Sequence, residues 1–375
     1  MRAPAAAALQ VVKFHTKDLQ EMLMISGLAR GDRVPDFQRP NAAGTTVMLY
    51  DLQVGQPLVL LMIENLQSTD TRTALETLAQ DAAWNAITRV ITLHASVAQC
   101  AALEGTASGD MTLLADDGAL AAHLLGTQAA GAPLMTGFAL DANLRVIERF
   151  EHRSSGQLAD FLRQLHAACQ QDSTRPAQII DQQAPVLFVP RVMEPGMCAE
   201  LTAYFEQQGG QPSGTAYIEG DKAYWRQDPS VKLRRDVYIK DGPWLERIKE
   251  VVARRVLPEI QRCFNYRVTQ HEVFKLVCYD ADTGGYFRPH RDNESRDTQH
   301  RRFAMTLHLN TGDYQGGQLR FPEFSPNLYQ AARGDATVFA SSLLHEVVPV
   351  TAGKRYVLLG FFFGDDQTMQ PIEYV

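Results

Sequence analysis

At Val273 the grain of the sequence changes. From there on, short runs rich in β-branched and aromatic residues follow one another closely, at 274–279, 303–309, 318–321, 336–340, 346–350 and 355–363. Gly-Gly pairs at 284–285 and 316–317 punctuate them. Strands so crowded, with such punctuation, fit a double-sheet jelly roll. Two stretches before them, 195–208 and 243–264, read as helices, so this half is expected to be an α+β domain with a double-stranded β-helix core.

The first half has a different pattern. Residues 58–63 read as a buried strand, 71–80 as a helix, 88–93 and 111–114 as further strands, and 118–125 as a helix. Residues 138–140 and 145–150 form a predicted hairpin across Asp141-Ala142-Asn143, and 155–169 closes the set as a helix. A βαβ opening with a ββα finish is an α/β sandwich. The polar stretch QQDSTRPAQIIDQQ lies between the halves. It sets the expected organisation as a domain at 27–170, a linker at 171–183 and a second domain at 184–375.

Composition excludes several classes. With 45% apolar and 21% charged residues the chain has the balance of a folded soluble protein. A formal net charge of −7 gives no reason to expect a nucleic-acid partner, and the basic pair Arg301-Arg302 is too short to change that. Five cysteines without a C-x-x-C pair suit reduced thiols. The alanine-rich start is soon interrupted by Lys13, His15, Lys17 and Asp18, unlike an export signal. The longest aliphatic stretch, 57–63, falls far short of the roughly 20 residues that span a bilayer. The expectation is a cytoplasmic protein with no membrane segment.

Chemistry concentrates in the second half. In the tetrapeptide Pro289-His290-Arg291-Asp292, His290 and Asp292 stand two apart, so on an extended backbone they share a face and can converge on one ion. A third ligand is offered by His345, set among the apolar residues of LLHEV. Two imidazoles and a carboxylate form the facial triad that leaves positions open on Fe(II). The H-x-D pair alone is weak, since ten histidines will meet carboxylates at this spacing by chance. The signal sharpens ten residues after His345, where Arg355 opens the apolar strand RYVLLGF. A guanidinium entering such a strand needs an anion, and a carboxylate co-substrate offers a two-pronged partner. Tyr279 could add a hydroxyl to the same carboxylate, and Thr306 with His308 could line the pocket.

The residues YDADTGGYFRPH (279–290), Asp292, YQGGQLRFPEF (314–324), GDATVFASSLLHEVVPVTAGKR (334–355) and YVLLGFFF resemble the prolyl 4-hydroxylase-like branch of the 2-oxoglutarate/Fe(II) oxygenases. The resemblance covers about 184–367. It implies His290, Asp292 and His345 as iron ligands, and Arg355 and Tyr279 as contacts of 2-oxoglutarate. Related halogenases lack the carboxylate ligand, so Asp292 speaks against halogenation. The implied reaction hydroxylates an aliphatic C–H of a peptidyl, prolyl-like substrate with O₂, releasing succinate and CO₂, with ascorbate as a candidate reductant. A free amino acid or small-molecule metabolite is the alternative substrate.

Residues 27–170 are similar to a peroxiredoxin-like redoxin domain, through GDRVPDFQRPNAAGTTVMLYDL (31–52), PLVLLMI and TGFALDANLRVI. That resemblance implies a thioredoxin-like fold. Peroxide reduction needs an activated thiolate after the first core strand. This chain has Ser68-Thr69-Asp70-Thr71 there, no cysteine before Cys100, and no arginine between Arg89 and Arg145. The domain is therefore expected to be catalytically silent, a docking, substrate-presenting or homodimer-forming module. A thiol peroxidase or redox sensor is the alternative of another class. The charged stretch 293–302 reads either as a lid or as an ordinary exposed loop.

Overall fold

The computed structural model describes residues 11–14, 27–52, 55–85, 87–103, 111–126, 133–171, 179–219, 222–368 and 373–374. The chain divides into two compact units. One spans Lys17–Ala177, and the other joins Gln178–Val375 to the N-terminal segment Met1–Thr16. Most of the expected linker, 172–178, lies outside the described residues. No helix among the described residues is long and apolar enough to cross a membrane.

The first unit is built on a five-stranded sheet in the order Met111–Asp116, Thr88–His94, Leu58–Ile63, Met135–Leu140, Val146–His152. The first three strands are parallel and the last two antiparallel. The central run LVLLMI is buried at every position, as expected for a strand covered on both faces. Alternation along it feeds two cores. Val59, Leu61 and Ile63 pack with Leu75, Leu78 and Leu165 on one side. Leu58, Leu60 and Met62 pack with Val34, Leu49 and Leu124 on the other. This is a thioredoxin-like sandwich. At the position where a redoxin thiol would stand, Ser68 caps helix Thr69–Gln80 by accepting from the Asp70 N–H at 3.2 Å. Asp70 then pairs with buried His152 at 2.8 Å. Cys100 is fully buried, and burial raises its thiol pKa.

The second unit is built mainly on two antiparallel sheets, with two smaller sheets beside them. The larger runs Gln211–Pro212, Arg235–Ile239, Phe274–Asp280, Lys354–Phe363, Phe303–His308, Ala336–Ala340, Leu187–Val189. The smaller runs Lys232–Leu233, Tyr286–His290, His345–Val347, Leu319–Arg320, Leu328–Tyr329. Val277, Tyr279, Ala304, Phe339, Val357 and Phe361 from the large sheet meet Leu319 and Val347 from the small one in a shared core. This is the double-stranded β-helix. One strand comes from outside the expected domain. Val11–Lys13 pairs antiparallel with Gln270–Glu272, in register Val11 to Glu272, and Phe14 behind it rests on His271 at 4.6 Å between centroids.

The single helix expected over 243–264 is two helices, Gly242–Arg255 and Leu257–Phe264, joined at Val256. Pro258 explains the break. It has no N–H to continue the ladder, and its ring disfavours a helical residue before it, so it is accommodated in the first turn of a new helix.

Two buried imidazoles away from the triad make this unit acid-sensitive. Burial, and then Arg355, pushes His308 down to about 3. Burial likewise lowers His271 to about 4, against a stabilising bond to the Glu272 carbonyl. In the unfolded chain both would titrate near their ordinary value of about 6.5. As pH falls through the window between that value and about 4, the unfolded state gains protons the folded state refuses, so stability falls. Thermal melts at pH 7 and 4.5 are expected to differ by roughly 5–10 °C, the acid value lower. An unchanged or higher acid midpoint contradicts this.

Candidate metal centre and co-substrate pocket

The two histidines come from neighbouring strands of the smaller sheet. Strand Tyr286–His290 runs against His345–Val347 with His290 opposite His345, and their rings lie 4.3 Å apart between centroids. Asp292 follows as the chain leaves the strand, its N–H donating to the Ser341 carbonyl at 2.9 Å. Its Oδ1 lies 3.5 Å from His290 Nε2 and its Oδ2 3.4 Å from His345 Nε2. Ligand atoms from all three residues fall within 4.8 Å of one another, close enough to share one ion.

The backbone orients both rings. His290 Nδ1 is 2.8 Å from the Arg288 carbonyl oxygen, and His345 Nδ1 is 2.9 Å from that of Leu343. Carbonyls only accept, so each Nδ1 carries the proton and each Nε2 keeps a lone pair facing the other ligands. Burial pushes His345 down to about 4, although Asp292 pulls the other way. For Asp292 burial opposes ionisation, but His345, His290 and Arg301 outweigh it and hold the carboxyl below its ordinary range. For His345 and Asp292 these directions favour the neutral imidazole and the ionised carboxylate that a metal ion requires. Phe287 stacks on His290 at 3.5 Å and Phe339 meets His345 edge-on at 4.7 Å.

A cavity of about 380 Å³ adjoins the triad. Tyr279, Thr306 and Arg355 line it, as expected from the sequence. Arg355 is 1% exposed, and its Nε and Nη2 have no hydrogen-bond partner among the described residues. Its guanidinium carbon lies 5.2 Å from the ring centroid of Tyr279, its neighbour across the sheet. Gly317 makes the place for this side chain. It has φ of +70°, and a Cβ there would come within 2.7 Å of Arg355 Cδ. Tyr279 accepts a bond from Arg234 Nη1 at 3.2 Å, and Arg234 is held by Asp236 at 3.1 Å. An oxygen that already accepts still has its own hydrogen to give, so Tyr279 can donate to an anion that Arg355 holds. His308 bonds Thr337 through Nε2 at 2.9 Å, and its Nδ1 has no partner.

One group around the site was not anticipated. Glu272 is fully buried and receives Arg301 through Nε at 2.6 Å and Nη2 at 2.8 Å, with His300 Nε2 at 2.9 Å. Arg301 Nη1 also donates to the Asp292 carbonyl at 3.0 Å. The end of stretch 293–302 is therefore anchored at His300 and Arg301, while Glu294, Arg296 and Gln299 within it are exposed. Asp297, His300 and Arg301 are all buried there. The basic pair Arg301-Arg302 is no surface patch either.

Residues 274–363 match the profile of the 2OG-Fe(II) oxygenase superfamily. Over 189 residues the chain is 25% identical to the human multifunctional procollagen lysine hydroxylase and glycosyltransferase LH3, covering 49% of this chain and 24% of that protein. It thus spans about a quarter of that relative's length. A Pseudomonas putida prolyl-4-hydroxylase structure is 19% identical, with a TM-score of 0.36, over 48% of this chain and 93% of that one. Peroxidoxin BcpB from Mycobacterium tuberculosis is 24% identical, with a TM-score of 0.33, over 39% of this chain and 99% of that one.

Proposed function

We propose that this chain, which carries a 2OG-Fe(II) oxygenase domain over residues 274–363, is a hydroxylase of aliphatic C–H bonds in a peptidyl substrate. One observation carries the reading. A convergent His-Asp-His set and a buried guanidinium whose Nε and Nη2 have no partner among the described residues face the same cavity. The donors fit Fe(II), because each imidazole presents Nε2 and the carboxylate stands between them. In this reading His290, Asp292 and His345 hold Fe(II), while Arg355 and Tyr279 take the distal carboxylate of 2-oxoglutarate. Bound together, the metal and co-substrate supply the O₂-dependent oxidation that hydroxylates the C–H and yields succinate and CO₂. The chain's own work is to orient both and to keep water away with Phe339, Leu319 and Val347. A peptidyl substrate is supported by a relative named for procollagen lysine hydroxylation.

The first test is anaerobic titration of the full chain with Fe(II) and 2-oxoglutarate, watching for the weak visible charge-transfer band of the chelate. Its absence in the wild type rejects the reading. In turnover assays Arg355→Met is expected to raise KM for 2-oxoglutarate about a hundredfold, since two charge-assisted bonds are lost. The kcat at saturating co-substrate should change far less, and an unchanged KM would remove Arg355 from its role. A peroxidase reading finds no support in buried Cys100, whose thiolate is disfavoured. Peroxide consumption at background level in both wild type and Cys100→Ser is the expected outcome.

A further inference from the structure

Among the cations that line the same cavity is one that the oxygenase chemistry does not use. Lys275 lies on strand Phe274–Asp280, four residues before Tyr279, and is 8% exposed. Along a strand, residues four apart share a face, so Lys275, Val277 and Tyr279 point to the cavity side together. Its ammonium has aromatic neighbours, 5.6 Å from the Tyr238 ring centroid and 5.4 Å from that of Phe361. It has neither a hydrogen bond nor an ion pair among the described residues. The nearby charges are committed elsewhere, Asp236 to Arg234 and Glu272 to Arg301. A buried ammonium left in this state is costly unless an anion arrives to meet it.

Position separates this cation from the one that serves the co-substrate. Tyr279 pairs with Arg355 across the sheet, and Lys275 pairs with Leu359. Four residues of strand put their backbones about 13 Å apart. Each side chain stays at its own end, Arg355 over Tyr279 and Lys275 toward Phe361. A five-carbon diacid spans only about 5 Å between its carboxyl carbons, so one held by Arg355 stops short of Lys275. The Phe361 end is also the end near the triad. Arg301 lies over the Phe361 ring at 3.9 Å and donates to the Asp292 carbonyl.

We infer that Lys275 is the anchor for a carboxylate on the primary substrate, seated across the cavity from Arg355. The inference rests on the oxygenase reading and narrows it. The C–H to be oxidised belongs to a molecule with a carboxylate nearby, either an acidic side chain in a peptide or the free carboxylate of an amino acid. A neutral, uncharged substrate would leave the ammonium stranded in the closed complex.

The test uses the full chain with Fe(II) and 2-oxoglutarate bound under anaerobic conditions, and ligand-observed NMR as the readout. The probes are N-acetyl amino acids, their neutral carboxamides, and the side-chain pair of capped glutamate and capped glutamine. At least one carboxylate is expected to bind roughly tenfold or more tightly than its amide. Lys275→Met should erase that preference and Lys275→Arg should keep it, while the chelate band forms in both. A preference confined to capped glutamate assigns an acidic side chain, and one confined to the N-acetyl amino acids assigns a free α-carboxylate. Equal binding of acids and amides by the wild type, no binding of any probe, or a preference that survives Lys275→Met overturns the inference. The wild-type comparison needs no variant, so a misfolded Lys275→Met leaves it decisive. Absence of the chelate band in the wild type would sink the oxygenase reading itself, which separates the two failures.

Discussion

Asp292→Ala is expected to lose the Fe(II)–2-oxoglutarate absorption band and to cut turnover by more than about a hundredfold. The magnitude follows from coordination chemistry. Loss of an outer partner of a metal ligand costs 10- to 100-fold (roughly), and loss of the ligand costs more. The variant should still fold. What ties this stretch to its surroundings is backbone, the Asp292 N–H to Ser341 and the Asp292 carbonyl to Arg301. Among the described residues the carboxylate itself has ion-pair contacts only to the two imidazoles. Removing it leaves two neutral donors without the negative charge that offsets a dication. Titration of the purified variant with Fe(II), followed by absorbance and by thermal melting, gives both halves of the answer. A band of undiminished intensity would mean that the ion sits elsewhere.

Glu272→Ala should be the most destabilising single change near the site. Burial opposes a charge at Glu272, but Arg301 and His300 outweigh it and hold the carboxyl near about 2. Truncation removes the main carboxylate partner of buried Arg301, at a cost of about 3–5 kcal/mol. For a unit of this size that corresponds to a fall in melting temperature of roughly 10 °C. Iron affinity should fall with it, because Arg301 would no longer be steered toward the Asp292 carbonyl. The double replacement Glu272→Met with Arg301→Met should recover much of the stability, since an apolar pair strands no charge. The linkage has a definite sign. The folded carboxyl titrates below the ordinary value, so its contribution is present above about pH 4.5 and fades as pH falls toward 2. A melting temperature within about a degree of wild type would show that the pair does not hold this region.

Much of this was legible in the sequence because the features are local. Leu58–Ile63, Pro195–Gln208 and Ala336–Ala340 begin and end where periodicity and flanking residues place them. The spacing of His290 and Asp292 guarantees a shared face on any strand, and Arg355 stands out as a charge opening an apolar run. Lys275 inside HEVFKLVCYD carries the same signal, a cation set within an apolar run. Glu272 and Arg301 were not legible. They stand 29 residues apart, and each looks like an ordinary surface charge until the fold places one against the other. Strand Val11–Lys13 was hidden for a related reason, since three residues carry no period and their partner lies far along the chain.

That strand changes how the two halves are connected. The polypeptide contributes to the β-helix unit first, then makes the whole redoxin-like unit, then returns. The redoxin-like unit is accordingly an insertion within its neighbour, with both of its ends tied to the same body. A truncation that keeps only 184–375 strips the partner from Gln270–Glu272 and uncovers a raw sheet edge at Glu272 itself. Through Arg301 that residue steadies Asp292, so shortening the chain at its far end reaches the proposed metal ligands.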